Sequence, residues 1–305
     1  AKQAGALCLP AKMLHDLVSR LPSGPVRIRK VENDRAEVNS GKVTSRIVGV
    51  GDRDFPKVPD YGDNFHDVAA GPLAAMFRAC QPSICRDETR FHLNGILVEA
   101  EGGETRMVST DGHRLAAVTR KMAVPCKTAG VIVPRRGVSE ILRLLDGAET
   151  VGVTVHDKWI AVRRDSTTLG VKLADATFPP WRQVIPATHT TRVVVDREAL
   201  AGAVRRGSLM ASEVRGLKLH LRDGEIEIVS SDAARGEVRE VIDCEGSGNL
   251  TIGVNGRYVS DLAAVLEDVD DGAIAIEFGG TLAPIVLRAA TNPDAFVGVV
   301  MPMRV

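Results

Sequence analysis

An amphipathic helix pattern that occurs three times constrains this chain more than any other feature. In each place apolar residues stand at i, i+3, i+4 and i+7, which forms one apolar stripe along an α-helix. The stripes begin at Leu14, Val138 and Val259, so successive copies are about 120 residues apart, within the usual size range of a domain. Such spacing indicates a repeated domain. The stripes are Leu14, Leu17, Val18 and Leu21; Val138, Ile141, Leu142 and Leu145; and Val259, Leu262, Ala263 and Leu266.

Other motifs repeat in the same register. Pro10 and Pro134 precede the first two helices, where proline suits a first turn. Alternating apolar residues around Gly102-Gly103 and again around Asp223-Gly224 predict antiparallel hairpins with tight turns. Two further motif pairs are Phe55-Pro56 with Phe178-Pro179, and Ser109-Thr110-Asp111 with Ser230-Ser231-Asp232.

The repeats predict an α+β chain whose first copy is incomplete. Residues 1–63 would be the second half of one copy, and residues 64–186 and 187–305 would be two further copies. A natural short form, a fragment and an incomplete sequence all remain open as explanations of the incomplete first copy. In a half copy the stripe of Leu14, Leu17 and Val18 is partly uncovered, at a cost of about 1.5–3 kcal/mol per large apolar side chain. We therefore expect residues 1–63 to be the least stable part of the chain.

Composition excludes several classes of protein. With 44% hydrophobic residues the chain is too apolar for intrinsic disorder, and no stretch approaches the roughly 18 consecutive apolar residues of a membrane span. The first six residues, Ala1 to Ala6, do not have the apolar pattern expected of a secretory signal. Five scattered cysteines predict neither a disulfide framework nor a zinc site. We expect a cytoplasmic protein without metal or other cofactor.

The net charge of zero argues against a protein that holds nucleic acid by bulk charge alone. A net charge of zero still allows a basic surface, and basic residues on the predicted helices are candidates for it. A partner helix predicted near 196–208 adds two more basic residues. Ordinary solvated helix faces are the alternative explanation. These residues are Lys12, Arg20, Arg135, Arg136, Arg143, Arg205 and Arg206.

Thr110-Asp111-Gly112-His113-Arg114-Leu115 offers a hydroxyl, a carboxylate and an imidazole, which are groups used in acid–base catalysis. The matching segment of the next copy keeps Asp232 and lacks the histidine. We therefore interpret the shared aspartate as a turn cap and the remaining residues as a binding surface. A hydrolase that uses Asp111 and His113 is the competing hypothesis.

The chain ends in an apolar strand, Phe296 to Val305. Chain termini are usually polar unless they are held in place. Met301-Pro302-Met303 offers an adaptable apolar surface of a type that suits several partners, whereas Phe296 to Val300 is typical of a core strand.

Several motifs, in this order and spacing, resemble the bacterial DNA polymerase III beta subunit family of processivity sliding clamps along essentially the whole chain. They are Thr89-Arg90-Phe91-His92-Leu93-Asn94-Gly95, Thr110 to Leu115, Val131-Ile132-Val133-Pro134-Arg135-Arg136-Gly137, Phe178-Pro179 with Val184-Ile185-Pro186, and Met301-Pro302-Met303-Arg304-Val305. The resemblance implies the DNA-clamp fold, in which helices line a central hole and antiparallel sheets lie outside. It also implies a head-to-tail homodimer that encircles duplex DNA, performs no covalent chemistry, is placed by a clamp loader, and tethers the replicative polymerase and other partners.

The resemblance also implies three sets of site residues. A pocket for partner peptides would use Leu93, Thr110, Gly112, His113, Arg114, Leu115, Pro179, Val184, Asn255, Tyr258, Val299, Met301, Pro302, Met303 and Arg304, with Arg114 and Arg304 holding peptide acceptors. DNA contacts would come from Arg90, Phe91, His92, Arg135, Arg136, Arg143, Arg205 and Arg206. The dimer interface would involve Ser45, Ile47, Leu209 and Met210.

Besides the incomplete first copy, two residues depart from the family pattern. Gln183 stands where the family often has arginine beside the pocket, and Ser45 stands where the family often has a large apolar dimer contact. The incomplete first copy and Ser45 together motivate an alternative function: a clamp-derived module that binds peptides without closing a ring.

Overall fold

The computed structural model describes residues 5–126, 130–211, 216–232, 234, 236–266 and 272–304. The chain divides into two compact units, Ala1–Asp60 and Tyr61–Val305.

The first unit consists of one helix followed by a three-stranded antiparallel meander. Its elements are α1 (Ala11–Val18), β1 (Arg27–Val31), β2 (Arg35–Ser40) and β3 (Val43–Val48), and the strand order is β1-β2-β3. A bridge between Cys8 and Val50 closes the unit. No residue of α1 is buried, and Leu21 lies beyond the end of the helix.

The second unit contains the same series of elements twice. Its first ten elements are β4 (His66–Ala69), α2 (Ala70–Cys80), β5 (Gly95–Glu101), β6 (Glu104–Thr110), β7 (Arg114–Lys121), β8 (Val131–Pro134), α3 (Arg135–Leu145), β9 (Thr150–Val155), β10 (Trp159–Arg164) and β11 (Thr167–Lys172). The next ten are β12 (Thr191–Asp196), α4 (Arg197–Met210), β13 (Gly216–Arg222), β14 (Glu225–Asp232), β15 (Gly236–Glu245), β16 (Leu250–Asn255), α5 (Gly256–Val265), β17 (Ala273–Phe278), β18 (Ile285–Ala289) and β19 (Phe296–Val300). The first unit repeats the last four elements of the series, a helix and three strands.

The strands of the second unit form a four-stranded sheet, β11-β10-β9-β4, and a twelve-stranded sheet, β16-β13-β14-β15-β12-β17-β18-β19-β7-β6-β5-β8. Neighbouring strands in both sheets are antiparallel. Strand β7 of the first copy pairs with β19 of the next, so one sheet continues from one copy into the next. Helix α2 packs against α3, and α4 packs against α5. The apolar residues of the helices and of the inner sheet faces form one large core.

The helix and hairpin predictions are confirmed. Val138, Ile141 and Leu145 are buried on α3, and Val259, Leu262 and Ala263 are buried on α5. Leu266 falls just beyond α5. The turns at Gly102-Gly103 and Asp223-Gly224 join β5 to β6 and β13 to β14. The partner helix is α4, which is longer than expected and is capped by the Asp196 carboxylate, to which the Ala199 amide donates at 2.7 Å.

Candidate functional site

The candidate site begins where β7 meets β19. Val299 lies opposite Leu115, and both side chains are buried on the outer face of the sheet. The connection between the two copies covers this face: Trp181, in a short 3-10 helix, packs on Leu115 and Val299, with Phe178 alongside. The chain segment that joins the copies and the last strand of the chain therefore form one apolar cluster.

The last residues of the chain leave this cluster and run past the start of β7. The Met301 amide donates to the His113 carbonyl at 2.9 Å, and the Met303 amide donates to the Gly253 carbonyl at 2.9 Å. These bonds hold the tail between the turn before β7 and strand β16. Met301 is exposed, whereas Pro302 and Met303 are half-buried. Because backbone hydrogen bonds hold this tail in place, its apolar side chains are available for contacts.

The turn before β7 is built by Asp111. Its Oδ1 accepts hydrogen bonds from the backbone amides of His113 (2.9 Å) and Arg114 (3.0 Å). Gly112 has φ of 92°, in the left-handed region that favours glycine. Asp232 accepts from the Ala234 amide at 2.9 Å in the same way, so the prediction that the shared aspartate caps a turn is confirmed.

The Arg114 side chain is nearly buried and is held by hydrogen bonds within the chain. Its side chain is only 6% exposed. Its Nε donates to Asp111 Oδ2 at 3.2 Å, its Nη1 to Asp261 Oδ2 at 2.5 Å and its Nη2 to the Pro82 carbonyl at 2.5 Å. The Cζ atom of Arg114 lies over the Tyr258 ring, 4.4 Å from the ring centre. Three of its five N–H donors therefore have acceptors within the chain, and the expected role of Arg114 in holding peptide acceptors stays a prediction.

Tyr258 connects Arg114 to the turn. Its ring stacks with the His113 ring at 6.5 Å between centroids and 20° between planes. Tyr258 lies on α5, which Asn255 caps by accepting from the Arg257 amide at 3.0 Å. His113, Tyr258 and Met301 therefore converge from three elements of the second unit.

The other residues of the expected pocket differ in accessibility. Thr110 and Leu93 belong to the frame: Thr110 Oγ1 donates to the Arg114 carbonyl at 2.7 Å, and Leu93 is buried. Pro179 is half-buried, while Val184 and Arg304 are exposed. Asp261 was missed by sequence reasoning. Its position three residues after Tyr258 indicates a shared helix face, but no sequence signal pairs it with Arg114.

A layer of helices in the second unit carries most of the expected DNA contacts. Helices α2 to α5 contain eight arginines and three acidic residues, although the whole chain has a net charge of zero. Arg135 and Arg136 are exposed at the start of α3. Arg78 on α2 and Arg257 on α5 were not among the predicted contacts, because each is a single basic residue in an otherwise small or apolar stretch.

Not every predicted arginine is equally available. Arg143 pairs with Glu140 at 3.1 Å across one helix turn. Arg206 Nε donates to Glu240 at 2.8 Å, and this hydrogen bond lowers the pKa of the Glu240 carboxyl. Arg205 is exposed, and its Nε donates to the Ala201 carbonyl at 3.1 Å.

The loop with Arg90, Phe91 and His92 touches the turn before β7. Arg90 Nη1 donates to the Asp111 carbonyl at 3.0 Å, which fixes the arginine beside Gly112. Phe91 is exposed and meets the His92 ring edge-on at 5.9 Å. The structure thus connects a residue expected to contact DNA with the turn expected to contact peptides.

The four residues expected at a dimer interface lie in both units. Ser45 and Ile47 lie on β3, where Ser45 is half-buried and Ile47 is 3% exposed, packed within its own unit. Leu209 is 71% exposed near the end of α4, next to the half-buried Met210.

Among the described residues, no three or more histidine, cysteine, aspartate or glutamate side chains are grouped so that they could hold a metal ion. In the same part of the chain, no helix is long and apolar enough to cross a membrane. All five cysteines are free, and burial raises the pKa of the Cys80 thiol.

Family models match both copies in the second unit. Residues 68–180 match the model described as DNA polymerase III beta subunit, central domain. Residues 182–304 match the model described as DNA polymerase III beta subunit, C-terminal domain.

Individual relatives agree with these matches. The beta sliding clamp of Pseudomonas aeruginosa is 30% identical over 311 residues, which cover 100% of this chain and 83% of that protein. The crystal structure of the DNA polymerase III subunit beta from Pseudomonas aeruginosa matches with a TM-score of 0.85 at 30% identity, over 97% of this chain and 81% of that one. The DNA polymerase sliding clamp from Bacillus subtilis matches with a TM-score of 0.89 at 25% identity, over 100% of this chain and 81% of that one. The expected α+β clamp fold is confirmed.

Proposed function

This chain belongs to the DNA polymerase III beta subunit family, whose members are non-catalytic sliding clamps, and from that premise we propose that it encircles duplex DNA as a head-to-tail homodimer and tethers partner proteins to it. The partners would be the replicative polymerase, a clamp loader and other proteins with short linear motifs, in the cytoplasm. The observation that carries the proposal is the apolar cluster at the β7–β19 junction, extended by the tail at Met301 and the His113–Tyr258 stack.

We further propose that the chain is organised as residues 1–63, 64–186 and 187–305, with each full copy a clamp domain. The two series of ten elements support this division. The first segment corresponds to the second half of a domain, since it contains one helix and three strands.

The arginines of helices α2 to α5 support sequence-independent DNA binding. Their excess over acidic residues attracts phosphates, and phosphate contacts carry no base information. The contacts must stay few and weak, because a ring held on DNA by topology has to slide. The pairing of Arg143 and Arg206 with glutamates is consistent with such moderate attraction.

The accessible residues around the apolar cluster support peptide docking. His113, Tyr258, Val184, Met301 and Met303 present apolar and aromatic surface, and the neighbouring tail is extended. Alternate side chains of an extended peptide point to the same side, so the docking segment should carry apolar residues at alternate positions. Arg304 is exposed and is the more accessible of the two cations, Arg114 and Arg304, proposed to meet peptide acceptors.

The repeat itself supports the dimer. Strand β15 occupies the position of β7 in the series, and β3 occupies the position of β19. At the β7–β19 junction Leu115 faces Val299. Glu237 is the counterpart of Leu115, because Glu237 pairs with Ser231 as Leu115 pairs with Thr110.

Arg46 is the counterpart that we propose for Val299, since each pairs with the central strand of a three-stranded meander, Arg46 with Glu37 and Val299 with Val286. If β3 of one copy joins β15 of another as β19 joins β7, Arg46 faces Glu237 of the second copy. Opposite charges directly across two strands favour that register.

Sedimentation equilibrium at micromolar concentration tests the ring. The clamp predicts a dimer that Arg46→Glu weakens several-fold and that Arg46→Glu combined with Glu237→Arg restores. Glu225→Gln, at the hairpin tip between β13 and β14, is the matched control. A persistent monomer would instead support the peptide-binding module that does not close a ring, the alternative motivated by Ser45.

Fluorescence anisotropy with a labelled duplex tests DNA binding. Arg135→Ala with Arg136→Ala should weaken binding equally for unrelated sequences and reduce the salt slope by about 0.9 for each lost phosphate contact. Arg222→Ala, on a strand of the sheet, should leave the slope unchanged. Equal effects of both variants would contradict the assignment of the helix layer to DNA.

A further inference from the structure

Asp261 is a carboxylate on α5 whose strongest contact is with another copy of the repeat. Its Oδ2 accepts from Arg114 Nη1 at 2.5 Å, although the two residues are 147 positions apart in sequence. Arg257, one turn earlier on the same helix, lies 3.7 Å from the same oxygen. Asp261 was not among the expected pocket residues.

The Asp261 carboxylate is one of three acceptors around the nearly buried Arg114 guanidinium. Asp111 accepts a hydrogen bond from Nε, the Pro82 carbonyl accepts one from Nη2, and Asp261 accepts the bond from Nη1. Because the guanidinium is planar and rigid, bonds to three of its nitrogens fix its orientation. Its Cζ lies over the Tyr258 ring, which in turn stacks on His113.

We propose that Asp261 is a positioning residue of the docking pocket: through Arg114 it sets the Tyr258 ring against His113 and so shapes the pocket wall. This inference rests on the proposed docking function. Without the Asp261 charge, one end of the guanidinium loses its anion and turns toward Asp111 and the Pro82 carbonyl. Tyr258 then loses the cation over its ring, and the stack on His113 loosens.

The test compares Asp261→Asn with wild type in two measurements. The first is the Kd of a fluorescein-labelled pentapeptide with leucine at alternate positions, measured well below the melting temperature. Loss of one charge-assisted hydrogen bond predicts about tenfold weaker binding. The second is the NMR shift of the His113 ring protons in the absence of peptide, which the Tyr258 ring current perturbs.

Two further variants complete the design. Asp165→Asn removes a carboxylate on the exposed turn between β10 and β11 and should change neither measurement. Asp261→Glu keeps the charge and should recover most of the affinity, and it keeps the proposal testable if Asp261→Asn fails to fold.

The two measurements distinguish a failure of the positioning role of Asp261 from a failure of the docking function. An unchanged His113 resonance together with an unchanged Kd in folded Asp261→Asn would overturn the positioning role. If wild type does not bind the peptide, the docking function fails, while a shifted His113 resonance in Asp261→Asn would still support the role of Asp261 in setting the stack.

Discussion

Leu115 lies directly opposite Val299 at the point where β7 pairs with β19. The two residues come from different copies of the repeat, and Trp181 and Phe178 of the connecting segment pack on the same cluster. This pair therefore stabilises the continuous sheet of the second unit and also forms the base of the proposed docking pocket.

Leu115→Ala should lower the free energy of unfolding by about 2–5 kcal/mol, because it leaves a cavity in a closely packed cluster. Urea denaturation monitored by tryptophan fluorescence measures the change, since Trp181 contacts the site. The matched control is Leu282→Ala, because Leu282 is 82% exposed; its effect should stay within about 0.5 kcal/mol. Equal losses in both variants would mean that the junction adds nothing to stability.

Local patterns were sufficient to predict much of this fold. The stripe of Val138, Ile141 and Leu145 has helical period, and the alternation around Asp223-Gly224 has strand period. Asp111 and Asp232 cap turns through bonds to amides two residues away, so their role follows from the neighbouring sequence.

Contacts between copies could not be predicted in this way. The bond between Arg114 and Asp261 depends on the packing of α5 beside β7, and neither flanking sequence specifies that packing. The sequence around Arg114 therefore gave no sign that three of its donors have acceptors within the chain. Ile47 presents the same difficulty, since its side chain faces the interior of the first unit and leaves Arg46 on the opposite face.

The stability of the second unit should depend on Glu227 at neutral pH and lose that dependence in acid. The hydrogen bond from Arg239 Nη1, at 2.6 Å, lowers the pKa of the Glu227 carboxyl below its ordinary value. A carboxyl with a lowered pKa in the folded state stabilises the fold above its unfolded pKa of about 4.3. The contribution is lost as the pH falls through the folded pKa.

The difference in melting temperature between wild type and Glu227→Gln should therefore be large at pH 7 and shrink as the pH falls below about 4. Glu225→Gln, two residues earlier on the same strand, serves as the control for removal of a more exposed carboxylate. A difference that stays constant from pH 7 to strong acid would show that the ion pair does not contribute.

Backbone amides in the first unit should exchange with deuterium faster than those of the second unit. Within its described residues the buried apolar side chains are only Ala36, Val38 and Ile47, and α1 buries none. Local opening costs little where few apolar contacts must be broken. Exchange followed by mass spectrometry should give early labelling of Ala11–Val18, whereas slow exchange of this helix would contradict the expectation.

Replacement of Gly137 on α3 by alanine should destabilise the second unit. A Cβ at this position would lie 2.2 Å from Val171 Cγ1, a buried methyl group of β11. Alanine gains about 1 kcal/mol over glycine in a helix interior, but overpacking costs about 1–3 kcal/mol. The clash should exceed the gain in helix propensity, so Gly137→Ala should lower the melting temperature.

The double variant Gly137→Ala with Val171→Ala isolates the cause. Removal of the valine methyl groups gives the new Cβ room, so the double variant should be at least about 0.5 kcal/mol more stable than the sum of the single effects predicts. Gly202→Ala on α4 is the control, because its Cβ would meet only the flexible guanidinium of Arg206, at 3.1 Å. Strict additivity of the two changes in urea denaturation would show that the contact between α3 and β11 is not the source of the loss.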